Sequence, residues 1–230
     1  LAELESEIER DPHRPVLVAS PNNPTGEAIS PEVIERWAGK LAAADAPLLL
    51  DNAYGEFCRH DYRPLLASCP NLVIFRTFSK AWSLAGLRLG YLLAAPELVR
   101  EIVKVKLPYN LALAAAIAGE LALDNAAAVE RRVRLLVARR AQWRALLETS
   151  QDEVFPSEAN FLLIRNERQK SLLVKDSLAE RGIRVRDVSA GPGLEGCLRF
   201  SIGTGPALRA VAQTLGEQPS STGSISQRER

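Results

Sequence analysis

Short runs of adjacent apolar residues recur through the first hundred positions, each ending at a polar residue or a proline. Residues 15–19 read Pro-Val-Leu-Val-Ala ahead of Ser20 and Pro21, residues 48–50 are three leucines ahead of Asp51, and residues 72–75 and 89–94 repeat the pattern. Runs this short, bounded by turn residues, predict buried strands. Between the first two, Ser30, Pro31 and Glu32 supply an N-cap, a first-turn proline and an acidic first turn, and Val33, Ile34, Trp37 and Leu41 follow at helical spacing. Strand and helix alternate, which predicts a mostly parallel sheet covered by helices on both faces.

Past Pro96 the period changes. Residues 97–106, 111–123 and 126–148 predict long helices. In the last of these Val129, Val133, Leu136, Trp143 and Leu147 form one stripe, and Arg131, Arg132, Arg134, Arg139, Arg140 and Arg144 fall largely elsewhere. With no aromatic residues interleaved, that arginine run predicts a solvated helix face. Short strands at 161–164, 183–186 and 197–202, with a helix near 172–181, predict a smaller α+β lobe. From Gly216 onward the chain is rich in serine and carries one large apolar residue, Ile225. That composition predicts disorder. The expected organisation is therefore α/β, with a larger domain over 1–106, a small C-terminal domain with long linking helices over 107–216, and a tail over 217–230.

Composition narrows the classes. The 230 residues are 47% hydrophobic and 25% charged, which is ordinary for a globular chain, and the net charge of +1 predicts no nucleic-acid partner. Three cysteines without C-x-x-C spacing and only two histidines indicate neither a disulfide framework nor a metal site. No apolar run approaches the ~18 residues of a membrane span, and glutamates at 3, 5, 7 and 9 occupy the place where a signal peptide would be basic. A cytoplasmic protein is expected. The absence of methionine, with Leu1 in first position, reads as a piece of a longer polypeptide.

Four polar signals follow the predicted strands, where open α/β sheets place their ligands. Pro21-Asn22-Asn23-Pro24-Thr25-Gly26 holds an asparagine amide between two prolines, or is a plain turn. Asp51-Asn52-Ala53-Tyr54 puts a carboxylate at a strand end, serving a ligand or capping the next helix. Thr77, Ser79 and Lys80, with Arg88 eight positions on, combine hydroxyls, an amine in an apolar setting and a guanidinium. Arg199 stands at an alternating position of the strand 197–202, where it meets a carboxylate if it points inward and water if the strand is an edge.

Together these match pyridoxal 5'-phosphate. Its aldehyde needs an amine (Lys80), its ring nitrogen an acid (Asp51), its phenolic oxygen donors (Asn23, Tyr54), and its phosphate hydroxyls and an arginine (Thr77, Ser79, Arg88). With Phe78-Ser79-Lys80-Ala81-Trp82-Ser83-Leu84-Ala85-Gly86-Leu87-Arg88-Leu89-Gly90-Tyr91, Leu107-Pro108-Tyr109-Asn110, Ala159-Asn160-Phe161-Leu162-Leu163 and Cys197-Leu198-Arg199-Phe200-Ser201-Ile202-Gly203-Thr204, the sequence resembles the fold-type-I aminotransferases of classes I and II from Pro21 to Thr204.

The resemblance implies a truncated fold-type-I transferase in which Lys80 is catalytic, Arg199 clamps the substrate carboxylate and Arg186 faces the distal, phosphate-bearing end. It implies a homodimer working in histidine synthesis, exchanging an amino group between histidinol phosphate and 2-oxoglutarate. Asn52 stands where the family commonly has glutamate, and the family's N-terminal third, with a phosphate loop and a ring-stacking aromatic residue, has no counterpart. A chain of these residues alone is therefore expected to bind the cofactor weakly or not at all and to expose an apolar surface. A related decarboxylase of a phosphorylated amino acid such as threonine phosphate, and a catalytically silent interaction module, are the alternative readings.

Overall fold

The computed structural model describes residues 1–148 and 153–216. The expected tail, 217–230, lies outside the described residues. Strands β1 (Val16–Ala19), β2 (Leu48–Asp51) and β3 (Leu72–Thr77) pair in parallel in that order, and β4 (Gly90–Leu93) closes the sheet antiparallel to β3. Ala19, Asp51 and Phe75 lie level in the register. The three polar residues that follow them, Ser20, Asn52 and Arg76, therefore stand abreast at the carboxyl edge.

Helices α1 (Ala2–Arg10) and α2 (Pro31–Ala42) lie on one face of this sheet. Ile8, Ile34, Trp37 and Leu41 pack there against Leu48, Leu50, Leu72 and Ile74, the alternate residues that β2 and β3 turn toward the helices. The other face departs from the expectation of a doubly covered sheet. Leu17 is 67% exposed and Leu49 and Phe75 are half-buried, because no described helix packs over β1 and β2 on that side. Helix α1 is an addition to the elements expected: Leu4 and Ile8 face the core, and Glu5 pairs with Arg36 on α2 at 2.9 Å.

After α3 (Pro96–Val105) and α4 (Leu113–Asp124), the long helix α5 (Ala126–Leu147) leads to a second, wholly antiparallel sheet. Its strands are β5 (Glu153–Val154), β6 (Phe161–Arg165), β7 (Arg186–Asp187) and β8 (Cys197–Ser201), in the order β5-β6-β8-β7. The strand expected at 183–186 begins only at its last residue, because Ile183 and Val185 pack into the core with α6 (Arg168–Glu180) and α7 (Gly205–Gly216). None of the described helices is long and apolar enough to cross a membrane.

Helix α5 belongs to both halves. Trp143 and Leu147 enter the core of the second sheet, and Val129 joins Tyr54, Phe57, Ala81, Ala159 and Phe161 in a cluster between the sheets. Two of its arginines overturn the reading of a solvated face. Arg132 donates to the carbonyl of Ala81. Arg140, its side chain 13% exposed, donates to the carbonyls of Ala159 (2.9 Å) and Phe57 (3.3 Å) and pairs with Glu158 at 3.2 Å. Positions 132 and 140 lie two turns apart on the side of Val129, Val133 and Leu136, so their stems follow the buried stripe.

Glu158 also accepts the Arg59 amide at 3.1 Å and pairs with the Arg59 side chain. Burial pushes its carboxyl pKa up, but the Arg59 hydrogen bonds and the Arg140 charge outweigh this and hold it below the usual carboxylate range. The ion pair is intact at neutral pH and is lost as pH falls through that lowered value. In urea denaturation near pH 7, Glu158→Gln is expected to lose about 3 kcal/mol, since it leaves Arg140 buried without its counter-charge. The gap to wild type should narrow toward acid; a gap independent of pH would contradict the assignment.

Candidate active site

The carboxyl edge of the parallel strands borders an open cleft of about 610 Å³, floored by Leu17, Leu49 and Phe75 of the uncovered sheet face. Around it stand Asp51, Thr77, Ser79, Lys80 and Arg88. Five of the residues singled out from the sequence thus meet at one cavity, Asp51 from the end of β2 and the other four from the end of β3 and the connection to β4.

Asp51 ends β2 and its Oδ1 accepts the Ala53 amide at 3.0 Å. This bond only turns the chain after β2; Asp51 caps no helix, since the helical turn Gly55–Phe57 that follows has no side-chain cap, and it stays exposed over the cleft. Thr77 ends β3: its Oγ1 accepts the Ser79 amide at 3.1 Å and donates to the Leu89 carbonyl at 3.3 Å. These bonds fold the chain back so that Ser79 and Lys80 face the cleft. Arg88 takes the left-handed conformation, φ 52°, at the end of the turn Ala85–Leu87, and its guanidinium returns to the Ala85 carbonyl at 3.1 Å. A non-glycine residue there is costly, so the turn holds Arg88 at the cleft rather than leaving it to choose.

Lys80 differs from the sequence expectation of an apolar enclosure. It is exposed, because the sheet face beside it is open, and its Nζ lies 5.0 Å from the centroid of the Tyr54 ring. Tyr54 is 7% exposed and meets Phe161 of the second sheet edge-on at 5.2 Å.

Phe161 is also the platform for Arg199, whose guanidinium carbon lies 4.9 Å above it. The strand β8 is interior to its sheet, so Arg199 is not an edge residue. One of its terminal nitrogens donates to Asn23 Oδ1 at 2.6 Å, and its Nε is buried with no hydrogen-bond partner among the described residues. Burial lowers its pKa; Tyr54 opposes this, and Arg186, its register partner on β7, adds to it. Two arginines therefore stand opposite each other across β7 and β8. Arg186 itself is exposed.

The loop bearing Asn23 contains two cis peptides, Ser20–Pro21 and Asn23–Pro24. Its root is a buried cluster that sequence reading missed. Ser20 Oγ accepts the Ile29 amide at 2.8 Å and lies 2.7 Å from Tyr62 Oη, which donates to the Ile29 carbonyl at 2.5 Å. Burial pushes the Tyr62 phenol pKa well above its ordinary value.

A parallel sheet edge that gathers a lysine, a carboxylate, hydroxyls and guanidiniums, beside an antiparallel lobe with its own arginine, marks an α/β protein with its candidate site at the sheet's carboxyl edge. The chain belongs to the class I and II aminotransferase family, whose model matches residues 1–215, and it has that family's fold. It is 41% identical over 202 residues to a histidinol-phosphate aminotransferase of Gloeobacter violaceus, covering 87% of this chain and 54% of that protein. It is 40% identical over 217 residues to histidinol-phosphate aminotransferase 1 of Carboxydothermus hydrogenoformans, covering 94% and 60%. Among solved structures, histidinol-phosphate aminotransferase from Sinorhizobium meliloti in complex with pyridoxal-5'-phosphate is similar with a TM-score of 0.79 at 26% identity, over 92% of this chain and 59% of that one. The chain thus spans little more than half the length of these relatives.

The Ser20–Tyr62–Ile29 cluster generates a stability expectation. Tyr62→Phe leaves the Ile29 carbonyl and the Ser20 hydroxyl short of a partner in the interior, and should cost about 1–3 kcal/mol in urea denaturation. A cost near zero would show that neither group depends on the phenol.

Proposed function

We propose that this chain forms the catalytic-lysine part and the small domain of a pyridoxal-phosphate-dependent aminotransferase that moves an amino group between histidinol phosphate and 2-oxoglutarate. The observation that carries the reading is the single cleft edged by Lys80, Asp51, Thr77, Ser79 and Arg88, with Asn23 and Arg199 joined beside it. Residues 1–106 would belong to the larger cofactor-binding domain and 107–216 to the smaller one. The working form would be a cytoplasmic homodimer, a reading supported by the run of exposed apolar side chains at Val105, Leu107, Tyr109, Leu113 and Leu121.

The residues present fit pyridoxal phosphate. Hydroxyls and a guanidinium suit a phosphate, a carboxylate suits a pyridinium, and the orphaned Nε of Arg199 calls for an anion of its own. The cofactor, when bound, supplies an aldehyde for the amino group and a ring that withdraws electrons from the substrate α-carbon. Asp51 would keep the ring nitrogen protonated, and Thr77, Ser79 and Arg88 would hold the phosphate. Because Arg199 engages the oxygen of the Asn23 amide, its NH₂ end is left to donate, as does the Tyr54 hydroxyl, to the phenolic oxygen. Lys80 would take the proton from the substrate α-carbon and return it as general base and acid. Arg199 would clamp the α-carboxylate and Arg186 the distal phosphate.

Borohydride reduction of the protein with pyridoxal phosphate, followed by peptide mapping, should label Lys80; label at Lys40, Lys104 or Lys106 instead would overturn the assignment. Lys80→Ala should abolish amino transfer with the folded state retained. Release of carbon dioxide in place of amino transfer would move the activity to a decarboxylase. Arg199→Lys keeps the charge but loses the planar fork, so glutamate binding should weaken by about 1.5–3 kcal/mol, read as a higher KM. An unchanged KM would place the carboxylate elsewhere.

A further inference from the structure

Behind the cleft, a chain of buried polar side chains joins the four segments that carry the candidate site. Asn52, 1% exposed, donates through Nδ2 to the Ser20 carbonyl at 2.6 Å. Its Oδ1 accepts from Arg76 Nη1 at 2.9 Å. The other terminal nitrogen of Arg76 pairs with Glu56 at 2.9 Å, and the same carboxylate oxygen accepts the Trp82 indole N–H at 3.1 Å. The side chains of Arg76 and Glu56 are 12% and 13% exposed. Each member lies on a segment that carries a site group: Ser20 begins the Asn23 loop, Asn52 follows Asp51, Glu56 lies two residues past Tyr54, Arg76 precedes Thr77, and Trp82 lies two residues past Lys80.

The geometry follows from the register. Because Ala19, Asp51 and Phe75 are level, the next residues of the three parallel strands stand abreast, and there an amide can bridge a carbonyl on one side and a guanidinium on the other. A glutamate at 52 has no N–H to give the Ser20 carbonyl. With asparagine there, the charge of Arg76 is met by Glu56 instead. Arg76 Nε and Glu56 Oε2 are buried without other partners among the described residues, so the pair has little with which to replace a lost link.

We propose that Asn52, Arg76, Glu56 and Trp82 are positioning residues: a relay that sets the Asn23 loop, Asp51, Thr77 and Lys80 at fixed distances from one another without touching cofactor or substrate. The inference rests on the proposed function for what is positioned, and on the network alone for how. Amide hydrogen exchange and titration with pyridoxal phosphate, applied in parallel to the whole chain, test the two separately. Asn52→Asp keeps an acceptor for Arg76, now charged, and replaces the donor to Ser20 with a carboxylate oxygen that repels its carbonyl. It should speed exchange at the Asn22 and Gly26 amides about tenfold and leave the interior of the parallel sheet unchanged. Trp82→Phe keeps an aromatic side chain but removes the indole donor with part of its packing on Phe78, and should speed exchange at Ser83 and Leu84, beside Lys80, while sparing Asn22. Arg76→Lys, which cannot serve Asn52 and Glu56 at once, should loosen both segments. Each variant should weaken pyridoxal phosphate binding about tenfold, the equivalent of one such bond.

Exchange unchanged in these segments, or raised uniformly over the sheet, would overturn the relay. If Arg76→Lys fails to fold, the other two variants still decide. If borohydride reduction at high pyridoxal phosphate labels a lysine other than Lys80, the functional reading fails while the exchange measurements continue to judge the network.

Discussion

A carboxylate with almost no water around it fastens the two sheets together. Glu158 lies just ahead of β6, yet its oxygens are taken by Arg59 from the loop after β2 and by Arg140 from α5, and its own amide donates to the Gly26 carbonyl at 2.7 Å. Arg140 closes the circle by donating to Phe57 on one side and Ala159 on the other. The candidate site depends on this junction, since Asn23 comes from the parallel sheet and Arg199 from the antiparallel one, and they bond only because the sheets are docked.

Within the parallel sheet, function and stability are divided by face and by edge. One face packs a leucine, isoleucine and tryptophan core against α1 and α2 and needs nothing from the site. The carboxyl edge is where backbone pairing ends and side chains must satisfy one another, and it is there that Ser20, Asn52, Arg76 and Thr77 all find partners. Arg88 and Tyr54 are held by different means, a left-handed backbone turn and an aromatic contact across to the second sheet. Local devices on one sheet edge thus hold each group of the site, and the chain of Asn52, Arg76, Glu56 and Trp82 links the segments that carry them.

Much of this was legible in the sequence because the signals were local. An apolar run of three or four residues ending at a polar one marks a strand and its carboxyl edge together, which is how Asp51 and Lys80 were placed at one end of the sheet. The same local view reads Leu17 as buried, since an apolar residue in a run looks alike whether or not anything covers it. The direction of β4 is likewise absent from a pattern that is identical read either way. Glu158, Arg132 and Arg140 escaped for a different reason: their partners lie far along the chain, as Arg59 does from Glu158, and only docking of the sheets reveals them. Asn52 looked like a mild departure from a family pattern until the Ser20 carbonyl appeared on its far side.

Gly26 ties these threads to mechanics. Its φ of +79° favours glycine, and a Cβ placed on it would lie 2.3 Å from Ser157 Oγ. That hydroxyl itself donates to the Phe161 carbonyl at the head of β6. The loop carrying Asn23 is therefore seated on the segment leading into β6, where Gly26 meets the Ser157 side chain and its carbonyl accepts the Glu158 amide, with no side chain of its own to act as a cushion. Were the two sheets to rotate against one another, the loop would have to travel with the second sheet and flex at its Ser20 root, or shear away from Ser157 and take the Arg199 contact with it. In engineering terms Asn23 is mounted on the small lobe, although the chain delivers it from the large one.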